Sequence, residues 1–244
     1  MTTQMDIAKV LNRLFEEPED KYTSTFKKNP KNVKAKLIEK MTECGLWLKE
    51  MEKDVTINFI KYNNFIFIKE NYFIHPNWQL AGNLHWQFFA ELYHVPNIAQ
   101  YGKINNDELR TPQTRLVFGN ERWVKMKDNH IFYTWEFDKV MFCKGNAVER
   151  HRIGSLNCEG KIVVDMFAGL GYFTLPYLVH AKAEHVYACD LNSHAIEALR
   201  NNLDLNKVAD KCTILHGDVL KTCPEGKADH VNLGLIPSCE KFWE

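Results

Sequence analysis

Two acidic residues and a pair of glycines stand where a nucleotide-binding strand–turn–helix unit places its ligand contacts. The apolar run 162–164 ends at Asp165, as a buried parallel strand would, and a turn with Gly169 and Gly171 follows it. Glycines let a backbone approach a ligand closely, and the helix that begins after them adds a positive field at its N-terminus. Asp190 ends the next apolar run, close to the ~20-residue spacing at which a carboxylate binds both ribose hydroxyls. The pattern therefore predicts a nucleotide-binding βαβ unit.

The identity of the nucleotide depends on two further positions. A dinucleotide site of the Rossmann type would need a third glycine at position 174, where this chain has Thr174. Asp218 follows a third apolar run, and together with Asp165 it fits S-adenosylmethionine better than NAD. A flavodoxin-like unit whose glycine turn binds no ligand is the alternative.

Composition narrows the class of protein. The chain has 244 residues, of which 45% are hydrophobic and 25% charged, as in ordinary globular proteins. Thirty-one basic residues balance 31 acidic ones, so any contact with nucleic acid must come from local patches. The seven cysteines are spread without a CxxC or a zinc-type cluster, and no apolar run is long enough to span a bilayer. We expect a cytoplasmic monomer without a metal centre or a membrane attachment.

Helical periodicity dominates the first part of the chain. Apolar residues recur at helical spacing over 5–17, and Asn29-Pro30 predicts the start of a second helix. Six lysines between 27 and 40 are either an RNA phosphate contact or a solvated helix surface, and we favour the surface because they share no single face. A third helix is predicted over 84–93, with its aromatic side chains in the core rather than stacked on bases.

Alternating patterns predict β-strands in the middle of the chain. Short strands are expected within 54–75, around an Asn63-Asn64 turn. Antiparallel strands are predicted at 114–118, 122–127 and 131–137, with hairpin turns at Gly119-Asn120 and Asp128-Asn129 and a possible fourth strand at 140–142. The expected organisation is a helical segment over 1–50, an α+β domain over 51–148 and a nucleotide-binding domain over 149–244.

Three segments carry a resemblance to a known family. They are Asp165-Met-Phe-Ala-Gly-Leu-Gly-Tyr-Phe-Thr-Leu-Pro176, Leu199-Arg-Asn-Asn-Leu203 and Asn232-Leu-Gly-Leu-Ile-Pro-Ser238. In combination they resemble the tRNA wybutosine-synthesising protein 2 family, which is related to the tRNA guanine-37 N1-methyltransferases. The resemblance runs from about Arg110 to Ser238. It implies an α/β fold, in which a class I methyltransferase-like Rossmann domain follows a smaller α+β domain.

The resemblance also implies a reaction. Members of the family transfer the 3-amino-3-carboxypropyl group of S-adenosylmethionine to C7 of 4-demethylwyosine at position 37 of phenylalanine tRNA, and methylthioadenosine leaves. Because a sulfonium is already a good leaving group, placement of the reacting carbon matters more than acid–base help. N1-methylation of guanine 37 in tRNA is the alternative activity.

Residue by residue, the resemblance assigns roles around the co-substrate. Asp190 would bind the ribose hydroxyls, and Asp218 would accept from the adenine amino group beside the backbone of Val219. Cys143 is either a contact or a buried thiol, and Arg150 either binds the carboxylate of the co-substrate or forms a surface ion pair. The full set of expected contacts is Cys143, Arg150, Asp165, Gly169, Gly171, Asp190, Asp218 and Val219.

Two further groups of residues are candidates for catalysis and for RNA binding. Glu149 matches a general base of the methyltransferases but could equally be a helix-start carboxylate. Asn232 lies in the last predicted strand, 231–236, and begins the segment that replaces the Asn-Leu-Pro-Pro turn of the methyltransferases. The α+β domain is expected to bind tRNA through phosphate contacts. These candidate contacts are Arg110, Arg115, Arg122, Lys125 and Lys127.

Departures from the methyltransferase pattern bear on the group that is transferred. Gly145 stands where those enzymes carry an arginine. Gly234 lies in a turn that is longer than the Asn-Leu-Pro-Pro turn of those enzymes. Both differences favour aminocarboxypropyl transfer. Class I folds have seven strands, but only about four fit before Glu244, so the Rossmann domain is expected to be C-terminally incomplete. A paralogue that binds tRNA or the co-substrate without turnover is therefore a second alternative.

Overall fold

The computed structural model describes residues 30–56, 58–235 and 238–242. Helix α1, Pro30–Glu43, begins at the proline that the sequence indicates. It buries Val33, Leu37 and Met41, which are 3%, 1% and 0% exposed, and this confirms the predicted amphipathic helix. The helix predicted over 5–17 and the first lysines of the basic segment lie outside the described residues.

Contacts divide the chain into two compact units. The described residues of the first unit lie within 30–58 and 71–88, and those of the second lie within 59–70 and 89–242. In the first unit, helix α2, Pro76–Leu80, and the first turns of helix α3, Leu84–Tyr93, surround an aromatic cluster. The cluster contains Phe73, Trp78, His85 and Trp86. Its burial confirms that the aromatic side chains of this region belong to the core.

A four-stranded mixed sheet begins the second unit. Its strands are β1 Ile60–Lys61, β2 Phe65–Lys69, β3 Asn97–Ile104 and β4 Pro112–Phe118, in the spatial order β1-β2-β3-β4. The strands predicted around the Asn63-Asn64 turn are confirmed. Strand β3 was not predicted, because Gln100 and Gly102 interrupt the alternation of large apolar residues.

The next two strands form a hairpin. Strand β5, Trp123–Asp128, pairs antiparallel with β6, Ile131–Glu136, as predicted. The turn residues Asn129 and His130 both have positive φ, +47° and +62°. This geometry is that of a two-residue type I′ turn, which matches the twist of the flanking strands.

The second predicted hairpin, at Gly119-Asn120, is wrong. Strand β4 pairs with β3 and strand β5 with β6, so this segment crosses between two sheets. The side chain of Asn97 holds the crossing, since its Oδ1 accepts from the amides of Asn120 and Glu121. Residues 140–142 are not a strand either.

Parallel strands with intervening helices form the rest of the second unit. The elements are α4 Ala147–Gly154, β7 Ile162–Asp165, α5 Thr174–Val179, β8 His185–Asp190, α6 Ser193–Leu205, β9 Cys212–His216, α7 Val219–Thr222 and β10 His230–Asn232. The spatial order is β10-β7-β8-β9, and all three pairs are parallel. This arrangement confirms the α/β Rossmann-like fold and brings the carboxyl ends of the four strands to one edge.

Helix α6 joins the hairpin to the parallel sheet. Asn202 Oδ1 accepts from the amide of Thr134 at 2.6 Å, while its Nδ2 donates to the carbonyl of Leu170 at 2.9 Å. Asn206 pairs with both backbone groups of Phe132. One hydrophobic cluster extends through the hairpin and the sheet, and the predicted boundary near residue 148 falls within it. The expected division into three segments stays a prediction.

Candidate active site

The carboxyl ends of the parallel strands surround one cavity of about 730 Å³. This volume lies in the range of small-molecule sites. Strand β7 ends at Asp165, β8 ends at Asp190, and Asp218 follows β9. Four of the predicted co-substrate contacts line the cavity, namely Gly169, Asp190, Asp218 and Val219.

The two glycines after β7 have different surroundings. Both have positive φ, +54° at Gly169 and +101° at Gly171. Gly169 lines the cavity, whereas a Cβ at Gly171 would lie 3.0 Å from Leu199 and 3.2 Å from Leu175. Gly169 therefore opens the backbone to the cavity, and Gly171 lets the turn pack closely on α5 and α6.

The carboxylate of Asp190 connects the glycine turn to the end of β8. Its Oδ2 accepts from the amide of Gly169 at 2.7 Å, and its Oδ1 accepts from the amide of Asn192 at 2.9 Å. Burial raises the pKa of the Asp190 carboxyl, and the two amide hydrogen bonds oppose that rise. A carboxylate has about four acceptor positions, so two remain for a ligand in the cavity.

Asp165 is fully buried beneath the cavity. It accepts from Thr174 Oγ1 at 2.7 Å and from Asn232 Nδ2 at 2.9 Å, so the predicted catalytic candidate Asn232 is tied to the end of β7. Burial raises the pKa of the Asp165 carboxyl. Neither residue is among the described residues that line the cavity, and their pairing fixes the point from which the turn after β10 departs.

Asp218 begins the short helix α7 at the opposite side of the cavity. Its Oδ1 accepts from the amide of Leu220 at 3.1 Å and caps the helix. Asp218 is exposed to the cavity, and Val219 beside it is buried. Leu220 is 72% exposed and gives this end of the cavity an apolar rim.

Tyr172 is a cavity residue that the sequence patterns did not indicate. Its hydroxyl accepts from the amide of Cys143 at 3.0 Å and donates to the carbonyl of Met141. The ring of Phe142 lies between the rings of Trp135 and Tyr172, with centroid distances of 4.4 and 5.2 Å. Met141 therefore reaches the cavity wall, whereas Cys143 is not among its described lining residues.

Arg150 lies in the core beside the cavity rather than on its wall. Its guanidinium is 3% exposed and donates twice to Asp128 Oδ2, at 2.7 and 3.0 Å. It also packs over the ring of Phe142 and donates weakly to the carbonyl of Cys143 at 3.4 Å. The side chain thus holds the hairpin turn and the 141–143 segment together.

Glu149, the other catalytic candidate, is a half-exposed helix residue. Both of its oxygens accept from the guanidinium of Arg152, at 2.7 and 2.8 Å. This hydrogen bonding lowers the pKa of the Glu149 carboxyl. Glu149 is not among the described residues that line the cavity.

The five predicted phosphate contacts have different environments. Arg115 is exposed and donates to Gln100 at 2.7 Å, while Arg122 pairs with Asp138. Lys125 is 8% exposed, and burial lowers its pKa. Lys127 Nζ lies 5.3 Å from the centroid of the Phe132 ring. The fifth residue, Arg110, lines the cavity.

Two features are absent from the described part of the chain. No group of three His, Cys, Asp or Glu side chains could hold a metal ion there. No helix in those residues is long and apolar enough to cross a membrane.

Comparison with known families agrees with this geometry. Residues 125–244 match the family described as the TRM5/TYW2 methyltransferase domain. The chain belongs to the TRM5/TYW2 family through this domain. The TRM5/TYW2 domain thus includes the hairpin β5–β6 together with the parallel sheet, which α6 holds together.

Similar proteins include both branches of the family. The tRNA wybutosine-synthesizing protein 2 homolog of Homo sapiens is 42% identical over 197 residues, which are 81% of this chain and 44% of the human protein. The chain thus spans less than half the length of that relative. The structure of P. horikoshii TYW2 in complex with MeSAdo superposes with a TM-score of 0.68 and 24% identity, over 83% of this chain and 70% of that chain. Trm5b from Pyrococcus abyssi gives 0.62 and 28%, over 80% and 57%.

Proposed function

We propose that the TRM5/TYW2 domain of this chain binds S-adenosylmethionine and transfers its 3-amino-3-carboxypropyl group to C7 of 4-demethylwyosine at position 37 of phenylalanine tRNA. The observation that carries the proposal is the meeting of Gly169, Asp190 and Asp218 around one cavity. They come from three successive strand ends, in a chain that is 42% identical to a wybutosine-synthesizing protein.

The cavity has the groups that adenosine requires. Asp190 keeps two acceptor positions for the ribose hydroxyls after binding the amides of Gly169 and Asn192. Asp218 faces the cavity beside the apolar side chains of Val219 and Leu220, which suit the edge and face of an adenine ring. This donor and acceptor set supports S-adenosylmethionine as the co-substrate.

The proposed reaction is a displacement at the carbon bonded to sulfur. Bound S-adenosylmethionine supplies that carbon together with a sulfonium leaving group. A bond forms between this carbon and C7 as the carbon–sulfur bond breaks, and the electron pair of the broken bond stays on sulfur in methylthioadenosine. C7 loses its proton to solvent. The residues around the cavity act by placing the two carbons in line, which can supply most of the acceleration.

The two glycines that depart from the methyltransferase pattern, Gly234 and Gly145, have different surroundings. Gly234 lines the cavity, and a Cβ there would lie 2.9 Å from Phe173 Cε2, so the turn after β10 approaches this ring only because it has a glycine. At Gly145 a Cβ would meet only Cys143 Sγ, at 3.4 Å. We propose that the absence of a side chain at 145 leaves room for a tricyclic base.

We propose that tRNA binds through exposed basic side chains of the second unit. Arg115 is the best candidate among the five predicted contacts, because it is exposed and its partner Gln100 is neutral. The charge of Arg122 is balanced by Asp138 and Glu136, and Lys125 is buried. A cytoplasmic monomer is the state in which we propose that the chain acts.

The nucleoside product tests the proposal. Incubation with S-adenosylmethionine and tRNA that carries 4-demethylwyosine should release methylthioadenosine. The alternative, N1-methylation of guanine 37, rests on the 28% identity to Trm5b, and this reaction would release S-adenosylhomocysteine. Chromatography of the two nucleosides separates the activities, and S-adenosylhomocysteine as the product would contradict the proposal.

A further inference from the structure

Arg110 has an unusual environment for a surface arginine. It is the one basic side chain among the described residues that line the cavity. Its Nε is buried and has no hydrogen-bond partner among the described residues. A buried N–H group without a partner costs about 1–3 kcal/mol, so the arrangement favours a ligand that can accept from it.

The loop between β3 and β4 holds Arg110 in this position. Asn105 donates to the carbonyl of Thr111 at 2.9 Å and closes the loop. Within it, Asp107 accepts from the amide of Arg110 at 3.2 Å through its carbonyl, and from the amide of Thr111 at 2.9 Å through Oδ1. These bonds stabilise a positive φ of +55° at Arg110, a conformation that an arginine adopts only when its surroundings require it. The side chain is therefore presented by a loop that is already ordered.

A carboxylate is the ligand group that fits this arginine. A guanidinium offers a planar fork of donors, which pairs with a carboxylate through two parallel hydrogen bonds. The other charged residues that line the cavity are acidic: Asp107, Glu108, Asp190 and Asp218. The amino-acid end of S-adenosylmethionine is its only carboxylate, and a cation in an otherwise acidic cavity would select it.

The family pattern indicates Arg150 as the residue that binds this carboxylate, but the Arg150 guanidinium already pairs with protein groups. It makes its bidentate contact with Asp128, is 3% exposed, and is not among the described lining residues. Arg110, in contrast, lines the cavity, and its Nε has no hydrogen-bond partner among the described residues. The two arginines thus differ in whether their donors are available.

We propose that Arg110 binds the carboxylate of the aminocarboxypropyl chain of S-adenosylmethionine. This inference rests on the proposed function, since it assigns one end of the same co-substrate. It places the recognised carboxylate on the group that is transferred, so Arg110 would hold that group while methylthioadenosine leaves from the Asp190 side of the cavity. It also assigns Arg110 to co-substrate binding instead of to the predicted RNA contacts.

Calorimetry with two ligands tests the assignment. The 244-residue chain and its Arg110→Gln variant are titrated with S-adenosylmethionine and with methylthioadenosine, which has the same adenosine but no carboxylate. Arg110→Gln should raise the Kd for S-adenosylmethionine about 10- to 100-fold, the range for a hydrogen bond to a charged group, and should leave the Kd for methylthioadenosine within about twofold. Arg200→Gln is the matched control, because Arg200 is exposed on α6 and does not line the cavity.

The remaining outcomes are each decisive. An equal loss of both ligands in Arg110→Gln would show a structural role and overturn the inference. Unchanged affinity for both ligands, with weaker tRNA binding and a smaller salt dependence, would show that Arg110 contacts a phosphate instead. If the unsubstituted chain bound neither ligand, the proposed function itself would fail, and this result is distinct from the other two.

Discussion

The backbone amide of Gly169 donates to Asp190 Oδ2 across 2.7 Å, so the turn after β7 and the end of β8 are joined by the carboxylate that faces the cavity. The same carboxylate accepts from Asn192 and thereby supports the first turn of α6. The local structure and the proposed ribose contact would therefore depend on one side chain. This link holds the glycine turn and the end of β8 together at the cavity.

Replacing Asp190 should weaken binding of the whole adenosine moiety. We expect Asp190→Ala to reduce the affinity for both S-adenosylmethionine and methylthioadenosine by about 1–3 kcal/mol, because both contain the ribose hydroxyls. Calorimetry on the folded variant measures the change. Asp204→Ala, at an exposed position of α6, should leave both affinities unchanged. An Asp190→Ala protein with full affinity would show that another group binds the ribose.

Arg150 is expected to contribute to stability rather than to co-substrate affinity. Arg150→Met should lower the free energy of unfolding by about 3 kcal/mol, since it leaves Asp128 without its buried partner. Arg152→Met provides the contrast, because the Arg152 pair with Glu149 is 58% and 46% exposed and should cost less than about 1 kcal/mol. Urea denaturation measures both values. Equal losses for the two variants would contradict the buried placement of Arg150.

Gly171 should behave as a packing residue. Gly171→Ala should destabilise the fold by about 1–2 kcal/mol for its positive φ, and by a further ~1–3 kcal/mol for the contact with Leu199. Gly160→Ala isolates the first effect, since Gly160 also has positive φ, +69°, but a Cβ there would meet no atom within 4 Å. Thermal and urea unfolding give the comparison. Equal costs at both positions would contradict the close packing of the glycine turn.

The first unit should lose stability in acid because of His85. This residue is 2% exposed, and burial lowers its pKa from 6.5 to about 4. The unfolded chain therefore binds a proton more readily than the folded protein, so stability is retained above pH 6.5 and lost as the pH falls toward 4. The difference corresponds to about 3 kcal/mol.

Unfolding at several pH values, followed by tryptophan fluorescence, tests this expectation. His85→Phe should remove that part of the pH dependence, because phenylalanine keeps an aromatic ring beside Phe73 and Trp86 without a titrating group. His230→Gln, at an exposed position, serves as the control. A pH profile of His85→Phe identical to that of the unsubstituted chain would contradict the prediction.

The parallel half of the fold could be predicted because its signals are local. A buried parallel strand is a continuous apolar run, and the glycines, Asp190 and Asp218 follow such runs at fixed distances in the sequence. The pairing of β4 with β3 depends on contacts between distant segments, and no local turn signal at Gly119-Asn120 could reveal it. Strand β3 has no clear local signal either, because Gln100 and Gly102 interrupt its alternation, and its parallel partner β2 is distant in the sequence.

The two arginines show a second limit of sequence reasoning. The family resemblance assigns Arg150 to the co-substrate or to a surface ion pair, yet the structure pairs it in the core with Asp128 at the end of β5. The charge of Arg110 suggests an RNA contact, but the loop between β3 and β4 brings this residue to the cavity. A basic residue can be recognised in a sequence, but its partner is set by tertiary structure.

Label transfer from S-adenosylmethionine to tRNA shows which group of the co-substrate the chain transfers. The chain is incubated with tRNA that carries 4-demethylwyosine, or an unmodified guanine at position 37, and with co-substrate labelled in either its carboxyl or its methyl group. We expect carboxyl label in the tRNA with the tricyclic base and no methyl label in either tRNA. Methyl label in the tRNA with unmodified guanine would contradict aminocarboxypropyl transfer and establish the methyltransferase alternative. Binding of S-adenosylmethionine without transfer of either label would contradict aminocarboxypropyl transfer in favour of a non-catalytic paralogue.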